Sequence, residues 1–147
     1  MKTQLHKKCL EIANEKVQIL QNNIALAQET ANEATKSSAG DKYETTRAMM
    51  QIEIANNQKR LLEAQNLQKI LQEMVFKPTY SVVSSGALVI TDQATFFISV
   101  GIGPVLLENE KYLVISPHSP IGALLMGKAT GETVVFNQQK FTITAIL

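Results

Sequence analysis

The stretch KSSAGDKYETT, residues 36 to 46, interrupts a segment that otherwise reads as one long helix. Ser37, Ser38 and Gly40 favour a turn here, because serine and glycine are poor residues for a helix interior. Asp41 and Glu44 follow directly, three positions apart. The stretch therefore predicts two helices joined by a short polar turn that carries an acidic pair.

Upstream of this break, apolar residues recur at alternating spacings of three and four. Such a heptad pattern is typical of a helix that pairs with another helix along a narrow apolar seam. The seam shrinks to alanine as it nears the break, so two paired helices could approach closely there. Its members are Leu10, Ala13, Val17, Leu20, Ile24, Ala27, Ala31 and Ala34.

A second, less regular seam follows the break, with Lys59 at one of its core positions. Together the two seams predict an antiparallel coiled-coil hairpin over residues 1–77, with its tip at 37–45 and helices about 45 Å long. The rival arrangement, a parallel dimer of one continuous helix, is disfavoured by the break. The predicted second seam comprises Ala48, Ile52, Ala55, Leu62, Leu67, Ile70 and Met74.

Residues 78–147 have a different composition, since all four prolines and six of the seven glycines lie after Lys77. β-Branched and aromatic runs predict strands, and Asp92-Gln93 a turn between the first two. The fold class is therefore predicted as α+β, with a small antiparallel β domain after the hairpin. The predicted strands are 86–91, 95–100, 112–116, 133–136 and 141–146, and Gly101 to Pro104 is interpreted as a bend.

One short helix is predicted between the third and fourth of these strands. Ser119 is a good N-cap and Pro120 a good first helical residue. Gly127 can end the helix.

Composition excludes several classes of function. A net charge of +1 gives no sign of the basic stripe of a nucleic-acid binder, so independent DNA binding is not expected. The single cysteine, Cys9, excludes a disulfide framework, favours the cytoplasm and is expected to be a small buried hydrophobe. His6 and His118 lack partners at metal-ligand or nucleophile spacing and are expected at the surface or at an interface. No apolar run is long enough to cross a membrane.

The pair Asp41 and Glu44 has two physical interpretations. Asp-x-x-Glu at a helix start is close to a capping box, in which each residue satisfies a backbone N–H of the first turn. Alternatively, the two carboxylates offer part of a Mg²⁺ ligand set, since this ion commonly takes only one or two protein carboxylates and keeps several waters. Either carboxylate could cap the free helix and turn to a metal when a partner supplies the other ligands.

A helical hairpin with an acidic tip, followed by a small β domain, resembles the bacterial transcript-cleavage factors of the Gre family. The C-terminal stretch SPHSPIGALLMGKATGETV, residues 116 to 134, is similar to the family's run in which a serine-proline pair opens a short helix. Gly127-Lys128 and Gly131-Glu132 match the turns that follow. At the tip, Asp41 and Glu44 stand where the family carries D-x-x-E. The resemblance covers nearly the whole chain.

This resemblance implies a fold and a function. The C-terminal domain would be FKBP-like and would dock on bacterial RNA polymerase through Ser119, Pro120 and Ile121. The hairpin would enter the secondary channel, where Asp41 and Glu44 would share a second Mg²⁺ that the free protein holds weakly or not at all. The polymerase would then cut backtracked RNA, so the protein is expected to be an accessory factor rather than an enzyme, touching nascent RNA only indirectly.

The tip departs from the family pattern at three tip contacts, Lys42, Tyr43 and Arg47. The two cations reduce the negative charge beside the acidic pair, and they could instead contact phosphates or the polymerase. Tyr43 could pack on the hairpin end or stack on a base.

These departures leave alternative functions open. A secondary-channel regulator without cleavage activity is one alternative. A coiled-coil adaptor or chaperone unrelated to transcription is another, because a fold does not fix a function. Prolyl isomerase activity would follow from fold analogy alone, and the β half is expected to be too poor in aromatics for it.

Overall fold

The structure is a computed structural model of the 147-residue chain. It describes residues 1–36 and 40–147, with the side chains of all of these except 35, 36 and 40–43. Two long helices precede a six-stranded sheet with one short helix, so the predicted α+β class is confirmed. The elements are α1 (Lys2–Lys36), α2 (Gly40–Glu73), β1 (Leu88–Thr91), β2 (Thr95–Ile98), β3 (Gly103–Leu107), β4 (Glu110–Ile115), α3 (Pro120–Leu125), β5 (Thr133–Phe136) and β6 (Gln139–Ile146).

The chain folds into two compact units. The hairpin unit is Glu11–Gln68, which holds most of α1 and α2. The sheet unit combines Met1–Leu10 with Lys69–Leu147, so that the first turns of α1 and the last turn of α2 belong to it.

Within the hairpin unit, α1 and α2 run antiparallel, as predicted. The side chain of Gln68, late in α2, donates a 2.6 Å hydrogen bond to Oδ1 of Asn14, early in α1. Farther along, Leu26 and Met50 line the same groove. The seam predicted on α1 is confirmed at its centre, because Ala13, Val17, Leu20 and Ala27 are buried.

The seam predicted on α2 is wrong. Ala48, Ile52, Ala55 and Leu62 are exposed, and so is Lys59. The buried positions of α2 in this unit are instead Asn57 and Ala64, and Leu61 packs on Val17, Leu20 and Ala64. Both sets of positions follow heptad spacing, but they lie on different faces of the helix. The predicted line of Ala48, Ile52, Ala55 and Leu62 is thus turned away from α1.

The sheet is mixed rather than wholly antiparallel, which corrects the prediction. Its strand order is β3-β4-β2-β1-β6-β5. The neighbours β2 and β4 are parallel, with Phe97 opposite Val114, and the other four pairs are antiparallel. The parallel pair arises because the chain leaves β2, forms β3 at the sheet edge and returns as β4 between the two.

Strand β3 was not predicted, because its sequence starts with Gly-Pro and resembles a bend. Gly103 has a φ of +95°, a conformation that suits glycine. Pro104 is tolerated because β3 is an edge strand. Glu108 and Asn109, both with positive φ, form the two-residue turn to β4.

The sheet unit has one apolar cluster that includes strand residues Val89, Phe96, Ile98 and Ile143 together with Leu125 of α3. A second contact set joins the helix ends to the sheet within the same unit. Phe76, just after α2, stacks on Phe97 at 6.3 Å between ring centroids and meets the His6 ring edge-on at 5.1 Å. His6 Nε2 lies 2.7 Å from the Leu71 carbonyl oxygen, so its N–H donates there. His6 is therefore a partly buried residue that connects α1 to α2.

Candidate functional site

The first candidate site is the end of the hairpin unit where α2 begins. Glu44 lies in the first turns of α2 and is exposed. Arg47 is also exposed and follows three positions later, so the two side chains share one helix face. A carboxylate near a helix N-terminus is favoured by the helix dipole, which needs no metal.

A polar groove runs along the same end of the unit. It has a volume of about 310 Å³ and is lined by both helices. Arg47 and Gln51 line it from α2, facing Gln28 and Asn32 from α1. Guanidinium and amide groups in one groove suit an anionic or hydrogen-bonding partner.

The other predicted tip residues have no described side chains. Asp41, Lys42 and Tyr43 belong to the first turns of α2 by their backbone, and their side chains lie outside the described residues. Residues 37–39 of the predicted tip also lie outside them. The capping and metal interpretations of the acidic pair both stay predictions.

Of the two predicted Mg²⁺ ligands, the structure describes the side chain of Glu44 alone. Among the side chains that the structure describes, no group of three or more His, Cys, Asp or Glu could hold a metal ion. Glu44 is the described acidic residue of the predicted pair, and it is open to solvent. An exposed carboxylate can serve as one of the one or two that Mg²⁺ commonly takes, provided that a partner completes the coordination.

The second candidate site lies in the sheet unit, at α3. Ser119 is the N-cap and Pro120 the first helical residue, as predicted. The Ser119 hydroxyl accepts a hydrogen bond from the Gly122 N–H at 3.1 Å and donates one to the Ser116 carbonyl at 2.7 Å. Both bonds fix the start of the helix. Pro120 is exposed and Leu124, one turn later on the same face, is 40% exposed.

The turns after α3 also form as the sequence indicates. Gly127 and Gly131 both have positive φ, at +80° and +92°. Glu132 Oε2 accepts a 2.6 Å hydrogen bond from the backbone N–H of Ala129, which holds the second turn. Glu132 therefore has a structural role in this turn.

Ile121 of α3 lines an apolar pocket of about 260 Å³. Three phenylalanines contribute to its wall. The polar groups at the pocket are the amide side chains of Asn137 and Gln139, both on the β5–β6 hairpin. The full lining is Phe96, Gly103, Leu113, Ile115, Ile121, Phe136, Asn137, Gln139 and Phe141.

Sequence reasoning found Ile121 through the serine-proline motif but missed the rest of this pocket. A usable signal was present in β6 and β5, where alternate residues share one face of a strand. Phe141 and Ile143 alternate in that way. The contribution of Gly103 could not be found, because β3 itself was not predicted.

Comparisons with known proteins gave a likeness to solved structures. No protein-family model matches the chain, and no curated protein matches it. The solved structure of the transcription factor Gfh1 is 16% identical to this chain, and the match covers 94% of this chain and 92% of that one at a TM-score of 0.39. A likeness at that level carries no argument, so the fold and the proposals rest on this chain's own residues. In the described part of the chain, no helix combines the length and apolarity that crossing a bilayer requires.

Proposed function

We propose that this protein is a cytoplasmic accessory factor of bacterial RNA polymerase. Its hairpin would enter the secondary channel, and the acidic pair Asp41 and Glu44 would promote cleavage of backtracked transcripts by the polymerase. The protein would not cut RNA by itself.

The observation that carries this proposal is the antiparallel pairing of α1 and α2. Because the helices run in opposite directions, the start of α2 and the end of α1 lie at the same end of the hairpin unit. The backbone of residues 41–44 belongs to the start of α2 at that end, so the acidic pair would be presented at an end of the two-helix unit. From Glu11 to Lys36, α1 extends about 39 Å at 1.5 Å per residue.

Asp41 and Glu44 are the residues that would hold Mg²⁺, together with carboxylates of the polymerase. When bound there, the ion would act as a Lewis acid toward water and the scissile phosphate. The task of this chain is to bring two carboxylates to the partner's site on a stiff support. Glu44 meets the requirement of exposure.

The sheet unit would supply the docking surface. Pro120 and Leu124 form an outward apolar face on α3, and Ile121 stands beside the apolar pocket. An exposed apolar face next to an apolar pocket is typical of a protein–protein contact.

The test uses backtracked elongation complexes with purified protein and Mg²⁺. We expect shortened transcripts with the wild-type protein, and a loss of cleavage of at least about tenfold with the double variant Asp41→Ala, Glu44→Ala. Glu29→Ala, which removes an exposed carboxylate from the middle of the hairpin unit, should leave cleavage unchanged. Protein that binds the complexes without shortening any transcript would refute the cleavage function.

A second candidate is a secondary-channel regulator that binds without promoting cleavage. Arg47 favours this candidate, because its positive charge lies on the same helix face as Glu44 and opposes the binding of Mg²⁺ there. This candidate predicts inhibited RNA synthesis, no cleavage, and no effect of the double variant. Arg47→Ala should then weaken the inhibition.

A further inference from the structure

The outward face of α2 carries an apolar line that the fold of a single chain does not use. Ile52 and Leu62 are 64% and 69% exposed, and Ala48 and Ala55 are exposed as well. At 3.6 residues per turn these four residues lie between about 140° and 180° from the buried Asn57, which is the far side of the helix from α1. We call Ala48, Ile52, Ala55, Lys59 and Leu62 the outer seam.

The spacing of the outer seam is that of a helix–helix contact. Its members are separated by four, three, four and three residues, which keeps them on one line facing a partner helix. Isolated exposed apolar residues need no explanation. Four of them on one line, interrupted by Lys59 alone, are instead typical of an interaction surface. The required partner is therefore another helix with a complementary row.

The size pattern of the outer seam makes it complementary to itself in an antiparallel arrangement. With Ala55 at the centre, Ala48 meets Leu62, and Ile52 meets the aliphatic stem of Lys59. Small residues are thus set against large ones, and Ala55 against Ala55 allows the helices to approach closely. The flanking Gln51 and Gln58 would face each other, and an amide can both donate and accept.

Charge excludes the parallel alternative. A parallel pairing in register would stack Lys59 on Lys59 within the contact, and like charges at such positions repel. The antiparallel pairing places no like charges opposite each other along the seam.

We propose that the outer seam binds the outer seam of a second copy of this chain, antiparallel and about a twofold axis. The contact is isologous, because the same patch is used on both copies. The two hairpin units would then form a four-helix arrangement whose central pair is α2 with α2. This proposal is independent of the proposed function, and its test involves no polymerase.

The first test is mass in solution by sedimentation equilibrium, from about 1 to about 100 µM protein, because association depends on concentration. We expect a dimer that dissociates on dilution. The variant Ile52→Lys, Leu62→Lys should remain a monomer at the highest concentration, with an unchanged helical circular dichroism spectrum. The matched control is Ile19→Lys, Leu26→Lys, which places the same charges at residues of α1 that are 50% and 64% exposed, and it should still dimerise.

A second test fixes the direction of pairing. Single variants Ala48→Cys and Leu62→Cys are mixed and oxidised, while the native Cys9 is buried and does not interfere. Antiparallel pairing predicts a disulfide between the two different variants, whereas homodimeric disulfides would indicate parallel pairing and overturn the proposal. A wild-type monomer throughout the range, or equal loss of dimer in the α1 control, would overturn it as well.

Discussion

At the scale of single residues, Cys9 has the clearest chemical consequence. The residue is 0% exposed, and burial raises the pKa of its thiol to about 11. An unfolded cysteine titrates near pH 8.5. The thiol is therefore protonated in the folded protein at neutral pH and is a poor nucleophile.

This pKa difference predicts a loss of stability at high pH. Above about pH 8.5 the unfolded chain loses the thiol proton while the folded chain keeps it, so the free energy of unfolding falls as the pH rises toward 11. Lysines and tyrosines titrate in the same range. The measurement is therefore the difference in urea-unfolding free energy between wild type and Cys9→Ala from pH 7 to pH 11, and a difference that does not change with pH would contradict the prediction.

Gly122 is required by close packing rather than by its backbone angle. A Cβ at this position would meet the Ser116 carbonyl oxygen and, at 2.7 Å, the Ser119 hydroxyl oxygen. We expect Gly122→Ala to cost more than Ser119→Ala, for which loss of the cap predicts about 1 kcal/mol. Urea unfolding measures both. Gly101→Ala is the matched control, because nothing lies within 4 Å of a Cβ there, and it should change stability by less than about 0.5 kcal/mol.

At the scale of elements, α2 has one leucine on its buried face and one on its exposed face that can be compared by mutation. Leu71 is 0% exposed and Leu62 is 69% exposed. Leu71→Ala should lower the free energy of unfolding by about 2–5 kcal/mol through lost burial and a cavity. Leu62→Ala should cost less than about 0.5 kcal/mol when measured at a concentration where the chain is monomeric. Similar losses at both positions would mean that the assignment of the α2 faces is wrong.

The faces of α2 show where sequence patterns stop being informative. The pattern correctly indicated a helix and its antiparallel partner, because both follow from local spacing and from the break. It could not choose between two heptad lines on one helix. The line Ala48, Ile52, Ala55, Lys59 and Leu62 has four apolar members, and so has the line Met50, Ile54, Asn57, Leu61 and Ala64. Helix α1 packs on the second line, which includes the buried Asn57 and Ala64. That choice depends on the geometry of the hairpin and on the contacts at the ends of the helices.

Strand β3 was not predicted from the sequence for a different reason. It is an edge strand that pairs only with β4, and its Leu106 is 67% exposed. Little apolar alternation is left in such a strand for the sequence to reveal. The positive φ at Glu108 and Asn109 is the feature that defines the hairpin, and only the asparagine is a usual turn residue.

At the scale of the whole molecule, the proposed docking surface and the proposed metal ligands belong to different units, which makes the two proposals separable by mutation. Leu124→Glu adds a charge to the outward face of α3 and should weaken binding to RNA polymerase at least about tenfold, measured by fluorescence titration with purified polymerase. Leu106→Glu is the matched control on β3, where the leucine is also exposed, and it should bind normally. Unchanged affinity for Leu124→Glu would exclude the α3 face as the docking surface.

The sequence was a better guide to α3 than to the hairpin end. Ser119 and Pro120 act locally, through one cap and one fixed backbone angle, so their positions could be predicted from residue type. The pocket beside Ile121 is assembled from β2, β3, β4 and the β5–β6 hairpin. Such a site depends on the order of the strands in the sheet. The parallel pairing of β2 with β4 was not predicted, so the pocket could not be predicted either.

The pairing of β1 with β6 has a consequence for the order of events during synthesis. Val89 pairs with Ile146, more than fifty positions later, and β6 stands between β1 and β5 in the sheet. During synthesis, β6 must therefore leave the ribosome before the sheet can form completely. The helices α1 and α2 are consecutive in the chain, so they can pair as soon as both have emerged. Until β6 has left the ribosome, the growing chain exposes the apolar strands Leu88–Thr91 and Thr95–Ile98, and a nascent-chain chaperone would find its binding segment there.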